Sequence, residues 1–413
     1  MPELVLRSIS DESDYLAYMT KAYAGFLEDP RPDEIDLAGK FTDFDRMLGF
    51  HDGNGWIATT GSYARDVVLP GGALVPVAAV TAVTVSQSHR RRGLLTAMMR
   101  HQLDDVRSRG EALAMLFASE AAIYGRFGYG VSSYSGDLSG HVRELGYRPD
   151  VRLGDGSVTE VDAATLLASV PSVYDDAIAE RPGKMARPRP WWDHVVYDSD
   201  ERSKDSGKVR FLLHHEPDGT VSGFATFRPK KEWIEATGQP NSELHVEEVV
   251  ALNPEAYARI WRYLFDMDLV RRIKYAGAAV DEPVRYLLAD QRALQCALAD
   301  AIFVRLVDVP RALALRRYAT DIDVVLEVTD EFCPWNTGRY RLRGGLDGAD
   351  CDVTTAPADV AITARDLGAI YMGGVSLQAL VSAGLTTELT AGAVRRASTA
   401  FGWSVAPSRP DDF

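Results

Sequence analysis

Cysteine is scarce. Cys296, Cys333 and Cys351 are odd in number and far apart in a chain of 413 residues, so they offer no disulfide scaffold and no zinc or dithiol spacing. No metal site is expected. Long apolar runs are missing as well, and nothing approaches the roughly 18 consecutive apolar residues of a membrane-spanning helix. A basic surplus is also lacking: 59 Asp and Glu stand against 45 Lys and Arg, for a net charge of -14. Phosphate backbones select basic surfaces, so nucleic acid is not expected as the main partner, and cationic substrates match the charge better. Residues 1–15 carry acids where a secretory signal would carry bases followed by an apolar stretch, so the expectation is a cytoplasmic protein. What remains is an ordinary globular balance, 46% hydrophobic and 25% charged, in a chain too long for one core. Several domains are therefore expected.

Against that acidic background, Arg90, Arg91 and Arg92 stand together in "SHRRRGLLTAMMRH". Such a run is either a solvated surface or an anion site, and its neighbours favour the second. Residues 75–85 are apolar and β-branched on both alternating faces, the pattern of a strand covered on two sides. Downstream, Leu94, Leu95, Met98, Met99, Leu103 and Val106 recur at helical spacing and Gly110 follows, which predicts a helix beginning near Gly93. The arginines then lie on a strand-to-helix turn. There the first helical N–H groups lack acceptors and the helix dipole adds positive charge, so a pyrophosphate fits. Gly93 lets an anion approach the backbone, and Arg91 and Arg92 can add charge-assisted hydrogen bonds.

The pattern Arg-Arg-Gly after such a strand, then a strand over residues 112–119 and "EAAIYGRFGYG" over residues 120–130, resembles the enhanced intracellular survival (Eis) type of GNAT N-acetyltransferase. Leu95 departs from the small residue usual at the end of the GNAT loop. The resemblance implies an α/β (α+β) chain with two tandem GNAT-like domains, at residues 1–150 and 151–302, followed by a sterol-carrier-like domain at residues 303–413. It implies acetyl-CoA as co-substrate, held by Val83, Thr84 and Val85 on the strand, by Arg91, Arg92, Gly93, Leu94, Leu95 and Thr96 on the loop, and by Ser119 and Glu120. It also implies Tyr124 as the general acid, the C-terminal carboxylate of Phe413 as the general base, a cationic amine substrate and a hexamer. Tyr129 is expected to be packing only. For an arbitrary chain the end "PSRPDDF" would be a frayed tail, but an aromatic last residue after a polar run suits an anchored one.

Between Asp11 and Arg46, acids outnumber bases and alternate with Tyr15, Tyr18, Tyr23, Phe26, Phe41 and Phe44. This is either an amphipathic helix with a solvated acidic side or a cavity wall for polycations; Phe26 and Glu28 are the candidate lining residues, with Asp412 adding negative potential. Residues 243–265 read again as strand, turn and helix, with Asn253 as N-cap and Pro254 in the first turn, but without glycine or arginines in the turn. That domain is expected to have lost coenzyme binding. The strand and helix pattern after residue 301 predicts an α+β unit with an antiparallel sheet. Its likeness to a lipid-carrying fold leaves a non-catalytic lipid-binding scaffold as the alternative function.

Overall fold

The computed structural model describes residues 4–199, 203–204 and 206–413. Its contacts divide it into two compact units, and the chain crosses between them more than once. One contains Met1–Ser133, Pro182–Ala186 and Ala301–Phe413; the other contains Tyr134–Arg181 and Arg187–Asp300.

The first unit is built on a seven-stranded sheet. Its strands are β1 (Val5–Ser8), β2 (Leu48–His51), β3 (Trp56–Val68), β4 (Leu74–Val85) and β5 (Leu113–Leu116), followed in space by Phe303–Leu306 and Gly130–Val131. Helices α1 (Glu12–Gly25) and α2 (Pro32–Gly39) precede β2, and α3 (Leu94–Ser108) joins β4 to β5. Because β4 and β5 are parallel, the chain needs a crossover between them, and α3 supplies it. Leu94, Met98, Met99, Leu103 and Val106 face inward from α3 at the expected spacing. A five-stranded sheet with Ile322–Thr329 at its centre completes the unit. Helix Ala364–Ile370 packs on the strands Phe303–Leu306 and Gly130–Val131, an approach that requires glycine at Gly130 and Gly368, where any Cβ would meet backbone atoms of Arg365 and Val304.

The second unit has its own seven-stranded sheet, ordered Leu294–Asp300, Tyr134–His141, Val270–Ala279, Ser242–Ala251, Val221–Lys230, Arg210–His215 and Ser157–Val161. Helix Pro254–Phe265 covers it, burying Ile260, Trp261, Leu264 and Phe265 among Leu212, Phe227, Leu244 and Ile273. Asn253 caps this helix as predicted.

Tyr134–His141 pairs with Val270–Ala279 and Leu294–Asp300, while Phe303–Leu306 pairs back to β5, a long-range pairing that leaves no local signal. Two expectations differ from the structure. The last sheet is mixed, since Ile322–Thr329 runs parallel to Val360–Thr363. Finally, the strand expected over 112–119 ends at Leu116, where its partner diverges. Among the described residues no helix is long and apolar enough to cross a membrane, and no group of three metal-ligating side chains occurs.

Candidate active site

β3 and β4 pair from Val68↔Leu74 to Ala58↔Val85, with a register shift between Thr59 and Gly61. Opposite that irregularity Ala82 has φ 53°, a left-handed value that costs a non-glycine residue about 1–2 kcal/mol. Bulges bend the strand that carries them. On its other side β4 pairs with β5 only at Ala78, Ala79 and Val80. Val83, Thr84 and Val85 therefore keep one edge without a strand partner among the described residues. Unpaired backbone groups there suit an amide-bearing ligand that adds to the sheet. The Thr84 hydroxyl is already engaged, 2.7 Å from Thr59 Oγ1, so Thr84 can serve such a ligand through its backbone.

At the end of β4 a single 3-10 turn, Gln87–His89, leads into the arginines. Arg91 has φ 62° and Gly93 φ 80°. The first backbone bond of α3 runs from Ala97 N–H to Gly93 O at 3.0 Å, which leaves the N–H groups of Leu94, Leu95 and Thr96 without helical acceptors. No side chain caps the helix and no acid sits in its first turn. A Cβ on Gly93 would meet nothing within 4 Å, so the space beside Gly93 is open. Arg91, Arg92 and Thr96 are exposed, whereas Leu94 is buried and Leu95 half-buried. Leu95, the departure from the usual loop, packs against the core and seats the helix. Arg90 accompanies Gln87 at 3.1 Å and Glu120 at 4.0 Å. Ser119 and Glu120, exposed just beyond β5, thus lie at the same end of the sheet as the turn.

Glu120 precedes the short helix Ala121–Tyr124, which directs the Tyr124 ring into the core. The ring is 5% exposed. Burial, with the Glu120 carboxylate nearby, pushes the phenol up to about 12, so it remains a proton donor across ordinary working pH. Tyr129 stands edge-on to Tyr124 with ring centroids 6.0 Å apart, and it is fully buried as expected of a packing residue.

The C-terminal tail arrives at the end of β5. The Phe413 ring lies 5.0 Å from that of Phe117, the first residue after β5. Arg409 sets its guanidinium 4.9 Å from the Phe117 ring and pairs with Asp412. Asp411 pairs at 3.8 Å with Arg65 of β3. Asp412 is thus exposed and already has a cation beside it, which reduces the negative potential expected from it. Sequence reasoning missed Phe117, Arg65 and Arg409. An aromatic residue at the carboxyl end of a buried strand was the only local hint of the first.

The aromatic and acidic stretch before β2 divides in two. Tyr15 and Tyr18 are core residues, with Tyr18 OH donating to Leu48 O at 3.3 Å. Glu34 is buried beside Arg31. Phe26, Leu27 and Glu28, by contrast, are exposed immediately after α1. Gly25 presses on Thr84, which a Cβ there would approach to 2.5 Å, so this loop begins over the free stretch of β4. Glu28 donates its N–H to Tyr23 O at 3.0 Å and pairs with Arg31 at 3.6 Å.

Comparison with known proteins identifies the domains. Family models described as an acetyltransferase (GNAT) domain match residues 6–132 and residues 183–306, and a sterol carrier protein domain model matches residues 309–410. An uncharacterized N-acetyltransferase of Streptomyces avermitilis is 42% identical over 397 residues, covering 96% of this chain and 95% of the relative. The N-acetyltransferase Eis of Mycobacterium tuberculosis is 30% identical over 342 residues, 81% of this chain and 80% of that one. Among solved structures, Eis1 from Mycobacterium abscessus matches with a TM-score of 0.83 at 31% identity, covering 99% of this chain and 100% of that chain. The expected architecture, two GNAT domains followed by a sterol-carrier domain, is borne out.

Proposed function

Given that this chain belongs to the Eis-type family of GNAT N-acetyltransferases, we propose that it moves an acetyl group from acetyl-CoA to a primary amine of a polycationic substrate. Aminoglycoside-like molecules, lysine side chains and basic peptides have the required chemistry. Bound acetyl-CoA would supply an activated acetyl thioester. Val83 and Val85 would offer it backbone pairing along the free edge of β4. The N–H groups of Leu94, Leu95 and Thr96 would hold its pyrophosphate, with Arg91 and Arg92 adding charge and Ser119 and Glu120 at the far lip.

An alkylammonium of pKa about 10 is only about one part in a thousand neutral at pH 7, a handicap of roughly 4 kcal/mol. A base at the amine must offset it. The terminal carboxylate of Phe413 is suited to this role, since its ring is anchored on Phe117 beside the strand end that leads to Tyr124. Tyr124, held neutral by burial, would give its proton to the departing thiolate. Cys333 shares the Tyr124 core cluster, but it is 1% exposed and burial raises its thiol pKa, so it is a poor acyl carrier. This supports a reading in which transfer is direct, with both substrates bound. Exposed Phe26 and Glu28, at the start of the loop over β4, would meet the cationic body of the amine.

The observation that carries this reading is the convergence of the chain terminus, Tyr124 and the uncapped start of α3 at one end of one sheet. It is tested by measuring thiol release from acetyl-CoA with a panel of polyamines, using the natural chain and one extended beyond Phe413. Extension is expected to reduce turnover at least about 100-fold, the scale of a lost general base, with acetyl-CoA affinity nearly unchanged. Full turnover by the extended chain would remove the carboxylate from the mechanism.

A further inference from the structure

Pro182–Ala186 is a five-residue excursion. The chain on either side of it belongs to the second unit, yet these residues belong to the first. They bridge to β3 at Asp66–Val68, beyond Thr60 where its pairing with β2 ends. Gly183 N–H donates to Val68 O at 2.9 Å, Val68 N–H to Lys184 O at 2.8 Å and Ala186 N–H to Asp66 O at 3.0 Å, around an antiparallel bridge between Val67 and Met185. From the same β3 edge Arg65 Nη2 donates to Ala186 O at 2.9 Å.

The C-terminal tail uses this strap as its holder. Ser408 N–H donates to Pro182 O at 2.8 Å. Gly183 has φ +89°, and any Cβ there would fall inside contact distance of the Ser408 carbonyl oxygen, so glycine is required on both counts. Pro407, Ser408 and Pro410 are buried. Arg65, 5% exposed, then takes Asp411 at 3.8 Å. Asp412 and Phe413 follow that ion pair, and the Phe413 ring is seated on Phe117.

We infer that the strap Pro182–Ala186, through Gly183, and the Arg65–Asp411 pair position the terminal carboxylate for proton transfer. This rests on the reading of Phe413 as the base. Neither Gly183, Arg65 nor Asp411 touches substrate in this scheme. They are positioning residues, and they convert a terminus that would ordinarily fray into a fixed one. Displacing a reacting group by about 1 Å can cost about 100-fold in rate, so loosening either hold should be visible in kcat.

The test compares Gly183→Ala, Asp411→Asn, Arg65→Lys and a chain lacking Phe413, each with two amines. One is a basic amine of pKa about 10, and the other a hydrazine-like amine already neutral at the assay pH, which needs no base to become nucleophilic and can pass its proton on after attack. Asp411→Asn keeps the shape of the tail side chain but removes the charge opposite buried Arg65 of β3, so its thermal midpoint is measured beside kcat to show that the sheet is folded. Gly183→Ala and Asp411→Asn are expected to lower kcat for the basic amine roughly 10- to 100-fold, with KM for acetyl-CoA unchanged. The loss should shrink to a few-fold or less for the neutral amine. Arg65→Lys, which keeps the charge, should retain most of the activity. Equal losses for both amines would reduce the strap to a structural element and overturn the inference. So would unchanged kcat in both variants when removal of Phe413 abolishes turnover, although the carboxylate would then remain the base. Full turnover without Phe413 would overturn the carboxylate reading and this inference with it.

Discussion

The molecule contains the same strand-turn-helix device twice, and only one copy is open to an anion. In both, a strand pairs in parallel with one neighbour over a short stretch and then runs on without it, still paired antiparallel on its other edge. β4 leaves β5 after Val80, and Ser242–Ala251 leaves Val270–Ala279 after Val246. What differs is the turn. At the start of α3 stand Gly93, no side-chain cap and no first-turn acid. At the start of Pro254–Phe265, Asn253 Oδ1 already accepts from Ala256 N–H at 2.8 Å, and Glu255 follows in the first turn. Asn253 Nδ2 donates to Glu216 Oε1 at 2.8 Å. The second helix thus has its own anion at its positive end. Beyond the divergence the second copy holds Glu248, buried and bonded by Arg187 at 2.8 and 3.0 Å, with Arg187 stacked 4.0 Å from the Tyr174 ring. The two copies share the sheet geometry and differ in the composition of the turn, which the proposed mechanism makes the gate for a phosphate.

The comparison breaks most sharply at the arginines. If the open turn is an anion site, Arg91→Gln with Arg92→Gln should weaken acetyl-CoA binding about 100-fold or more, since hydrogen bonds to charged groups contribute about 1.5–3 kcal/mol each. Calorimetric titration reads this directly. Unaltered affinity would make the two turns equivalent and defeat the mechanism at its first step. The capped turn should respond in the opposite sense. Asn253→Ala is expected to cost about 1 kcal/mol of stability, with acetyl-CoA affinity and kcat unchanged; denaturant unfolding alongside the activity assay would show it. A loss of coenzyme affinity in that variant would mean that the second turn still binds.

The smallest effect concerns pH. His214, 2% exposed, contacts Ser222 through Nδ1 at 2.9 Å, and Ser222 in turn donates to Glu216. Burial dominates and lowers the His214 pKa below 6.5, although Glu216 opposes it and Arg259 and His215 reinforce it. The unfolded chain then binds the proton more readily than the folded one. The stability is present above pH about 6.5 and is lost as pH falls from there through the lower folded value. The folded Glu216 pKa is also lowered, but that loss belongs to the carboxylate range below about 4.5. Denaturant midpoints measured from pH 7.5 to 5.5 should therefore decline for the natural chain, and His214→Asn should remove its share of that decline even if its absolute stability is lower.

The two turns were also the most legible parts of the sequence. Gly93 and Asn253 announce helix starts through local chemistry, a left-handed glycine in one case and an amide cap in the other, and the structure has both. The strand expected over 75–85 is present as Leu74–Val85, because β-branched residues buried on both faces have few other places to go. Phe117 was not legible as part of the site. It follows a strand whose early end depends on the bend in β4. Arg65, Gly183 and Asp411 were equally silent, since each is an ordinary residue until chain segments remote in sequence are brought against it.

Local rules thus determined the strand, the helix starts, the arginine turn and the acid excess, because these depend on φ/ψ preferences, side-chain periodicity and charge within a few residues of one another. Tertiary structure alone decided where β4 and β5 part, which unit each segment joins, and that Ser408 meets Pro182 while Phe413 meets Phe117. Those outcomes arise from backbone pairing and packing between segments tens to hundreds of residues apart, and no stretch of sequence encodes a partner that it does not yet touch.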